Sequence, residues 1–254
     1  MVAHTTVFAC PHCQQAEPVV RYGYNRGGSQ KLFCKACRKV FTPQPKDRSL
    51  TPEKQQQIND ALTERLSQRA IARLLKVSRD TIRKTLKKSA QAHLVQTLVA
   101  PIRGDSLEID ELVIRFGKRR RYLYLWIVVC RLSRQVIAFF LGNRSFHSLQ
   151  ALWWRVPHAY RKKLIYTDLY EVYAQFFACW QHRPSPKGSG RTSVIEGLNN
   201  KWRNRVSGLV RRPVCVAPAA KADLERRLLL VFAQHNRQCR RQLERRGWIK
   251  PSMH

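Results

Sequence analysis

Cys10-Pro11-His12-Cys13 and Cys34-Lys35-Ala36-Cys37 are two C-x2-C knuckles with 20 residues between them. Each knuckle sets two thiolates on one tight turn, and together the four sulfurs complete a tetrahedral shell for zinc. A module of this size has too little core to fold alone, so metal binding supplies much of its folding free energy. Between the knuckles, residues 19–23 and 30–33 alternate like the strands of a ribbon hairpin, with Asn25-Arg26-Gly27-Gly28 as the turn. The rival reading is a redox pair or chance spacing. His12 is a bystander, because four sulfurs already satisfy the ion, and a closed shell makes the zinc structural. Residues 1–45 are therefore expected to form a zinc ribbon with Cys10, Cys13, Cys34 and Cys37 as ligands.

Charge is the next constraint on the chain. Lys and Arg number 48 against 16 Asp and Glu, a formal net charge of +32. Self-repulsion of that size is hard to hold in a compact fold without a polyanionic partner, and nucleic acid is the partner indicated. Anionic membrane is the alternative, but basic membrane binders carry one strong amphipathic anchor, whereas this charge runs along the whole chain. No stretch reaches the ~18 apolar residues of a membrane span. Residues 1–9 show neither the basic start nor the apolar core of a signal peptide. The four cysteines outside the knuckles are scattered singles, which fits a reducing cytoplasm, with the protein on the nucleoid.

Three blocks separate by composition. Thr42-Pro43-Gln44-Pro45-Lys46-Asp47 reads as a linker, because two prolines break any regular element. Residues 50–90 have a helical period. Thr51, Pro52 and Glu53 open a first helix with Ile58, Leu62 and Leu66 on its stripe. Ser67 caps a second, with Ile71, Leu74 and Leu75 facing inward, and Ser78 caps a third with Ile82 and Leu86 buried. Two helices joined by a short turn, the second presenting Arg79, Thr81, Arg83 and Lys84, is the arrangement that enters a DNA major groove. An ordinary three-helix unit with a solvated basic face is the bland alternative.

Beyond residue 105 the informative signal is where acids are missing. No Asp or Glu lies between Glu111 and Asp168, nor between Glu171 and Glu196. Residues 107–113 alternate as a strand, so Glu108 and Asp110 share one face and Glu111 points the other way. Strands over 122–132 and 135–141 come next, joined at Ser133-Arg134, and then a helix. Residues 163–168 read as a buried strand ending in Asp168. Glu196 opens a helix over 193–207, with Asn199, Asn200 and Arg203 at helical spacing from it. Taken singly, these acids are a strand end, a turn cap and a dipole-compensating glutamate. Taken together in a chain with a polyanionic partner, they point to two Mg2+ or Mn2+ ions held by hard oxygen ligands for in-line displacement at phosphorus.

Together these residues resemble a family. The order of C-x2-C pairs, helix-turn-helix, Glu-Ile-Asp-Glu (108–111), Thr-Asp (167–168) and Val-Ile-Glu-Gly-Leu-Asn-Asn (194–200) is similar to that of the DDE transposases of the insertion-sequence-one family. Val136-Ile137-Ala138 and Gly142-Asn143-Arg144-Ser145 extend the likeness over nearly the whole chain. The resemblance implies a ribonuclease-H-like catalytic domain over 105–254, making a multidomain α/β protein, with Asp110, Asp168 and Glu196 as catalytic metal ligands. It implies double-stranded DNA as partner, both terminal inverted repeats and target, with two or more copies acting on paired ends. Leu169 departs from the glycine that commonly follows the second Asp in such enzymes. Two rival functions stay open: a DNA-binding regulator with a degenerate core, and a nuclease or resolvase that cannot join.

Lesser signals complete the reading. Pro186-Lys187-Gly188-Ser189-Gly190-Arg191-Thr192 lacks the G-x-x-x-x-G-K pattern of a phosphate loop, so it is read as a basic loop beside Glu196 in which Lys187 and Arg191, with Arg203 nearby, contact the DNA backbone. Cys179 and His182, three apart, are read as structural, with His182 a candidate to line the site. Trp153-Trp154 is read as core. A last helix over 221–246 carries an apolar stripe and an arginine face suited to DNA.

Overall fold

The computed structural model describes residues 8–43, 45, 49–90, 94–117, 121–186, 188–209 and 216–250. Part of the expected linker (Gln44, Lys46, Asp47) and Lys187 lie outside them. The chain is mixed α/β, with seven α-helices and two sheets among the described residues. Residues 1–51 form one compact unit and residues 52–254 a second.

In the first unit β1 (Val19–Tyr24) and β2 (Gln30–Cys34) make the expected antiparallel hairpin. Its turn is tied by Asn25, whose Oδ1 accepts from the Gly27 and Ser29 N–H groups at 2.9 and 3.0 Å. Gly28 supplies the left-handed residue at φ +75°. A two-residue third strand, β3 (Val40–Phe41), pairs with β2. It is too short to leave a period in the sequence.

The second unit begins with α1 (Pro52–Thr63), α2 (Gln68–Leu75) and α3 (Arg79–Ser89). Ser67 Oγ accepts from the Ala70 N–H and Ser78 Oγ from the Thr81 N–H, so both expected caps form. Ile58, Leu62, Ile71, Ile82 and Leu86 are fully buried between the helices and α7 (Lys221–Arg245). Two expectations fail: α1 stops before Leu66, and Leu74 is 65% exposed. An eight-residue helix against two neighbours buries only a narrow stripe, which Ile71 fills. Arg227 of α7 joins the layers. Its guanidinium donates to the carbonyls of Leu62, Glu64 and Leu66 at the end of α1, and to Ser207 Oγ. These are carbonyls that a helix end leaves without partners. Burial lowers the Arg227 pKa to about 10.

The larger sheet has the order β6-β5-β4-β7-β8. Its strands are β4 (Leu107–Arg115), β5 (Tyr122–Cys130), β6 (Val136–Gly142), β7 (Ile165–Thr167) and β8 (His182–Pro184). β4, β5 and β6 run antiparallel, whereas β7 and β8 join parallel to β4. Helices cover both faces, which is why β5 reads as one apolar run. On one face Leu107, Ile109 and Trp126 meet α4 (Phe146–Trp154) and α5 (Glu171–Phe176). On the other, Leu112, Ile114 and Ile127 meet α6 (Ser193–Arg205) and α7. Trp153 packs on Phe177 as expected, but Trp154 is 69% exposed, beneath the Arg161 guanidinium. No helix among the described residues is long and apolar enough to cross a membrane.

Candidate functional sites

The four knuckle cysteines meet. Their sulfurs lie within 4.8 Å of one another, with Cys10 to Cys37 at 3.6 Å and Cys13 to Cys34 at 3.5 Å. A tetrahedral shell with Zn–S of about 2.3 Å has edges of about 3.8 Å, so little adjustment separates this cluster from a zinc site. Burial opposes ionisation of Cys10, but the backbone N–H groups of His12 and Cys13 bring its thiol down to about 7. The Gln15 N–H favours the Cys13 thiolate, yet burial and the neighbouring sulfurs push it up to about 12. A soft dication resolves this crowding by taking all four as thiolates. The cluster could hold zinc.

The acidic constellation occupies the second unit. Asp110 stands on the central strand β4, Asp168 immediately after β7, and Glu196 in the first turn of α6. All three line one cleft of roughly 430 Å³, with Glu111, Thr192, Asn199, Asn200 and Arg203 also in its wall. They are looser than the cysteines. Among the described residues only the four sulfurs form a group of three or more metal-ligating atoms within 4.8 Å.

Each acid is held by named neighbours. Asn199 Nδ2 donates to Asp110 Oδ2 at 2.8 Å. Thr192 Oγ1 donates to Glu196 Oε1 at 2.9 Å. Asp168 Oδ1 accepts from the Tyr170 N–H at 3.0 Å, closing an Asx turn. Leu169, within that turn, is not among the positive-φ residues, so the turn needs no glycine there.

Two more glutamates bear on the cleft: Glu111 is in its wall and Glu108 is not. Fully buried Glu108 accepts from the Ile195 N–H through Oε2 at 2.8 Å and lies 3.5 Å from Arg131 Nε. Thr192 makes no side-chain cap for α6, and Glu108 reaches across from β4 to take that part. Burial raises its pKa against the opposing pull of Ile195, Arg131 and Val194. Glu111, on the opposite side of β4, accepts from Arg144 Nε at 2.6 Å and from the Tyr173 hydroxyl at 2.7 Å. Arg144 in turn stacks over the Tyr170 ring at 3.9 Å, so the Asp168 turn is tied to β4. Asp105 belongs elsewhere: it accepts from Ser106, Leu132 and Ser133 and caps the β5–β6 turn.

One observation tests whether a hard cation fits. Asn199 Oδ1 is buried and has no hydrogen-bond partner among the described residues, although its amide nitrogen is committed to Asp110. A buried carbonyl oxygen without a donor, beside three carboxylates, is a donor set suited to Mg2+ or Mn2+. The residues present fit the ions.

Other sequence-derived candidates fare unevenly. Arg203 lines the cleft and Arg191 does not. His182 is not in the cleft wall; it is buried in β8 with Nε2 2.8 Å from Thr167 Oγ1, and burial, then Arg183, lowers its pKa. Cys179 is exposed. On α3, Arg79 and Lys84 are exposed. Arg83 leans on Asp223 of α7 at 3.5 Å, and the Thr81 hydroxyl is taken up with Ser78 at 2.8 Å. The holding roles of Thr192 and Arg144 do not emerge from the sequence reading: Arg144 meets Glu111 from another segment, whereas Thr192 precedes Glu196 by one helical turn, a spacing that could have found it. The chain matches no protein-family model.

Proposed function

We propose that this protein is a DNA transposase of the DDE type, which cuts a DNA strand by metal-dependent phosphoryl transfer and joins the freed 3′-end to a second strand. The observation that carries this reading is the single cleft shared by Asp110, Asp168 and Glu196, three acids set apart in the sequence by long acid-free stretches, in a chain of net charge +32. The first acid lies on the central strand of a mixed five-stranded sheet and the second lies just past its parallel neighbour, which supports a ribonuclease-H-like core. The serine-capped pair α2 and α3 supports a helix-turn-helix, and the cysteine module supports a structural zinc ribbon. Double-stranded DNA is then the partner, and two or more copies are needed where two ends are joined.

Asp110, Asp168 and Glu196 would hold two divalent cations, with Asn199 Oδ1 as a further oxygen donor. Bound there, the ions would supply Lewis acidity at the attacking and leaving oxygens. The rest falls to the chain's own groups. Asn199 and Thr192 hold the carboxylates of Asp110 and Glu196 in orientation. Glu108 anchors the first turn of α6 to β4 and so sets the distance between their acids. Arg203 gives the phosphate a charge-assisted partner in the cleft wall. Water attacks first and leaves a 3′-hydroxyl, which then attacks the target strand at the same cleft.

A labelled-end assay with Mg2+ or Mn2+ tests this. Joined products are expected from the parent protein and none from Asp110→Asn, with DNA binding retained. Cleavage without joining would mark a nuclease, and binding with no metal-dependent chemistry would mark a regulator.

A further inference from the structure

A second polar pocket, of roughly 410 Å³, lies beside the acidic cleft on another face of α6. Ser193, Gly197 and Lys201 line it at four-residue spacing, facing Arg134 in the β5–β6 turn and His235, Gln238 and Cys239 on α7. Glu196, Asn200 and Arg203 follow the cleft instead. Among the described residues no acidic side chain is in this pocket's wall.

His235 distinguishes the pocket from a mere basic hollow. It is 7% exposed. Its Nε2 lies 2.8 Å from the Arg134 carbonyl, which can only accept, so that nitrogen carries a proton. Its Nδ1 has no hydrogen-bond partner among the described residues. The contact also holds the backbone of Arg134, which stands in the left-handed region at φ +57°, while its side chain faces the pocket. The ionisable groups around the imidazole are Arg134 from the turn, Lys201 and Arg205 from α6, and Cys239 from α7. Burial and these three cations hold the His235 pKa down to about 4, despite the Arg134 carbonyl. Burial pushes the Cys239 thiol up to about 11, so no thiolate offsets the charge. Partial burial of its ammonium and then Arg205 lower the pKa of Lys201. An anion would relieve all of this.

We propose that this pocket binds a phosphodiester of the DNA strand, with Arg134 and Lys201 as cationic contacts and His235 Nδ1 as a buried hydrogen-bond partner. The identity of the anion rests on the DNA-processing reading above; the basic, acid-free wall does not. Proton uptake by His235 is linked to phosphate binding, because only the imidazolium donates both through Nε2 to the Arg134 carbonyl and through Nδ1 to a phosphate oxygen, so the grip tightens as pH falls. Because both pockets share α6, a strand gripped here is held next to Glu196.

The test tracks the His235 imidazole by NMR through a pH titration of the full chain. An Asp110→Asn background without divalent metal keeps cleavage out of the readout. A short oligonucleotide is expected to raise the His235 pKa by more than one unit, a tenfold or larger preference for the protonated state. Arg134→Asn and Lys201→Gln together should abolish the shift; both side chains are exposed and asparagine tolerates the left-handed backbone. The remaining imidazole signals report that the variant is folded. An unmoved His235, an equal shift in the double variant, or a shift with inorganic phosphate but not with the oligonucleotide would overturn the proposal. A full shift here, alongside a parent protein that with Mg2+ or Mn2+ neither cuts nor joins DNA, would support the pocket while sinking the transposase reading.

Discussion

The sulfur cluster and the acidic cleft are built by opposite means. Cys10, Cys13, Cys34 and Cys37 come from one short hairpin, and the local turns alone bring their sulfurs within 4.8 Å. Asp110, Asp168 and Glu196 come from a central strand, the end of its neighbour and a helix on one face, and stay further apart. The first site is soft, and a zinc ion there would spend all four of its ligands. The second is an open cleft walled by carboxylates, amides and a guanidinium. A closed tetrahedral shell leaves no position for a reactant, whereas an open oxygen cleft admits one. Under the proposed function the first site takes the structural role and the second the chemistry.

The largest expected effect strikes the sulfur site. Chelation, or Cys34→Ala, should remove most of the folding free energy of the first unit. Hydrogen exchange would then show β1 and β2 losing protection while β4 and β5 keep theirs. Loss of protection in both units would break the separation. Next comes Asp110→Asn, which should slow strand joining by about 10³-fold, the order seen when a group stabilising transition-state charge is lost. Gel assays should find zinc content and DNA affinity unchanged.

A third, smaller effect concerns the α6–α7 wall behind the cleft. Folding lowers the His235 pKa from its ordinary 6.5 to about 4, so its stabilising contribution is whole above pH 6.5 and drains as pH falls through 4. Over that window the parent should lose roughly 3 kcal/mol more than His235→Gln in denaturant titrations. Equal pH dependence would mean that the imidazole is not buried as described. The smallest effect is that of Glu108→Gln. It keeps the shape but trades a charged acceptor for a neutral one at the start of α6, costing about 1 kcal/mol. Joining should fall about tenfold, with the loss in kcat rather than KM, because the residue positions Glu196 and does not touch DNA.

The same contrast governs what could be read in advance. The hairpin and its ligands were legible because spacing in the chain becomes distance in space across a tight turn. The serine caps at Ser67 and Ser78 were legible for the same local reason. So were the strand around Asp110 and the side of it that Glu111 takes, since period-two alternation is a property of the strand itself. Leu74 was not, because which flank of a short helix is covered depends on its neighbours. The Glu108 bond to α6, the Asn199 bond to Asp110 and the Arg227 clasp on the end of α1 all cross long stretches of chain, and no local pattern announces them. The shared cleft was approached only indirectly, through the long acid-free stretches that set its three acids apart.

Electron paramagnetic resonance of Mn2+ added to the zinc-loaded protein goes most directly to the oxygen cleft. Two ions about 3.5–4 Å apart would be spin-coupled, and the account predicts that coupled signal in the parent protein and its loss in Asp110→Asn, Asp168→Asn and Glu196→Gln alike. A parent spectrum no different from that of the three variants would contradict it, leaving a basic protein with a zinc-binding hairpin and no metal chemistry of its own.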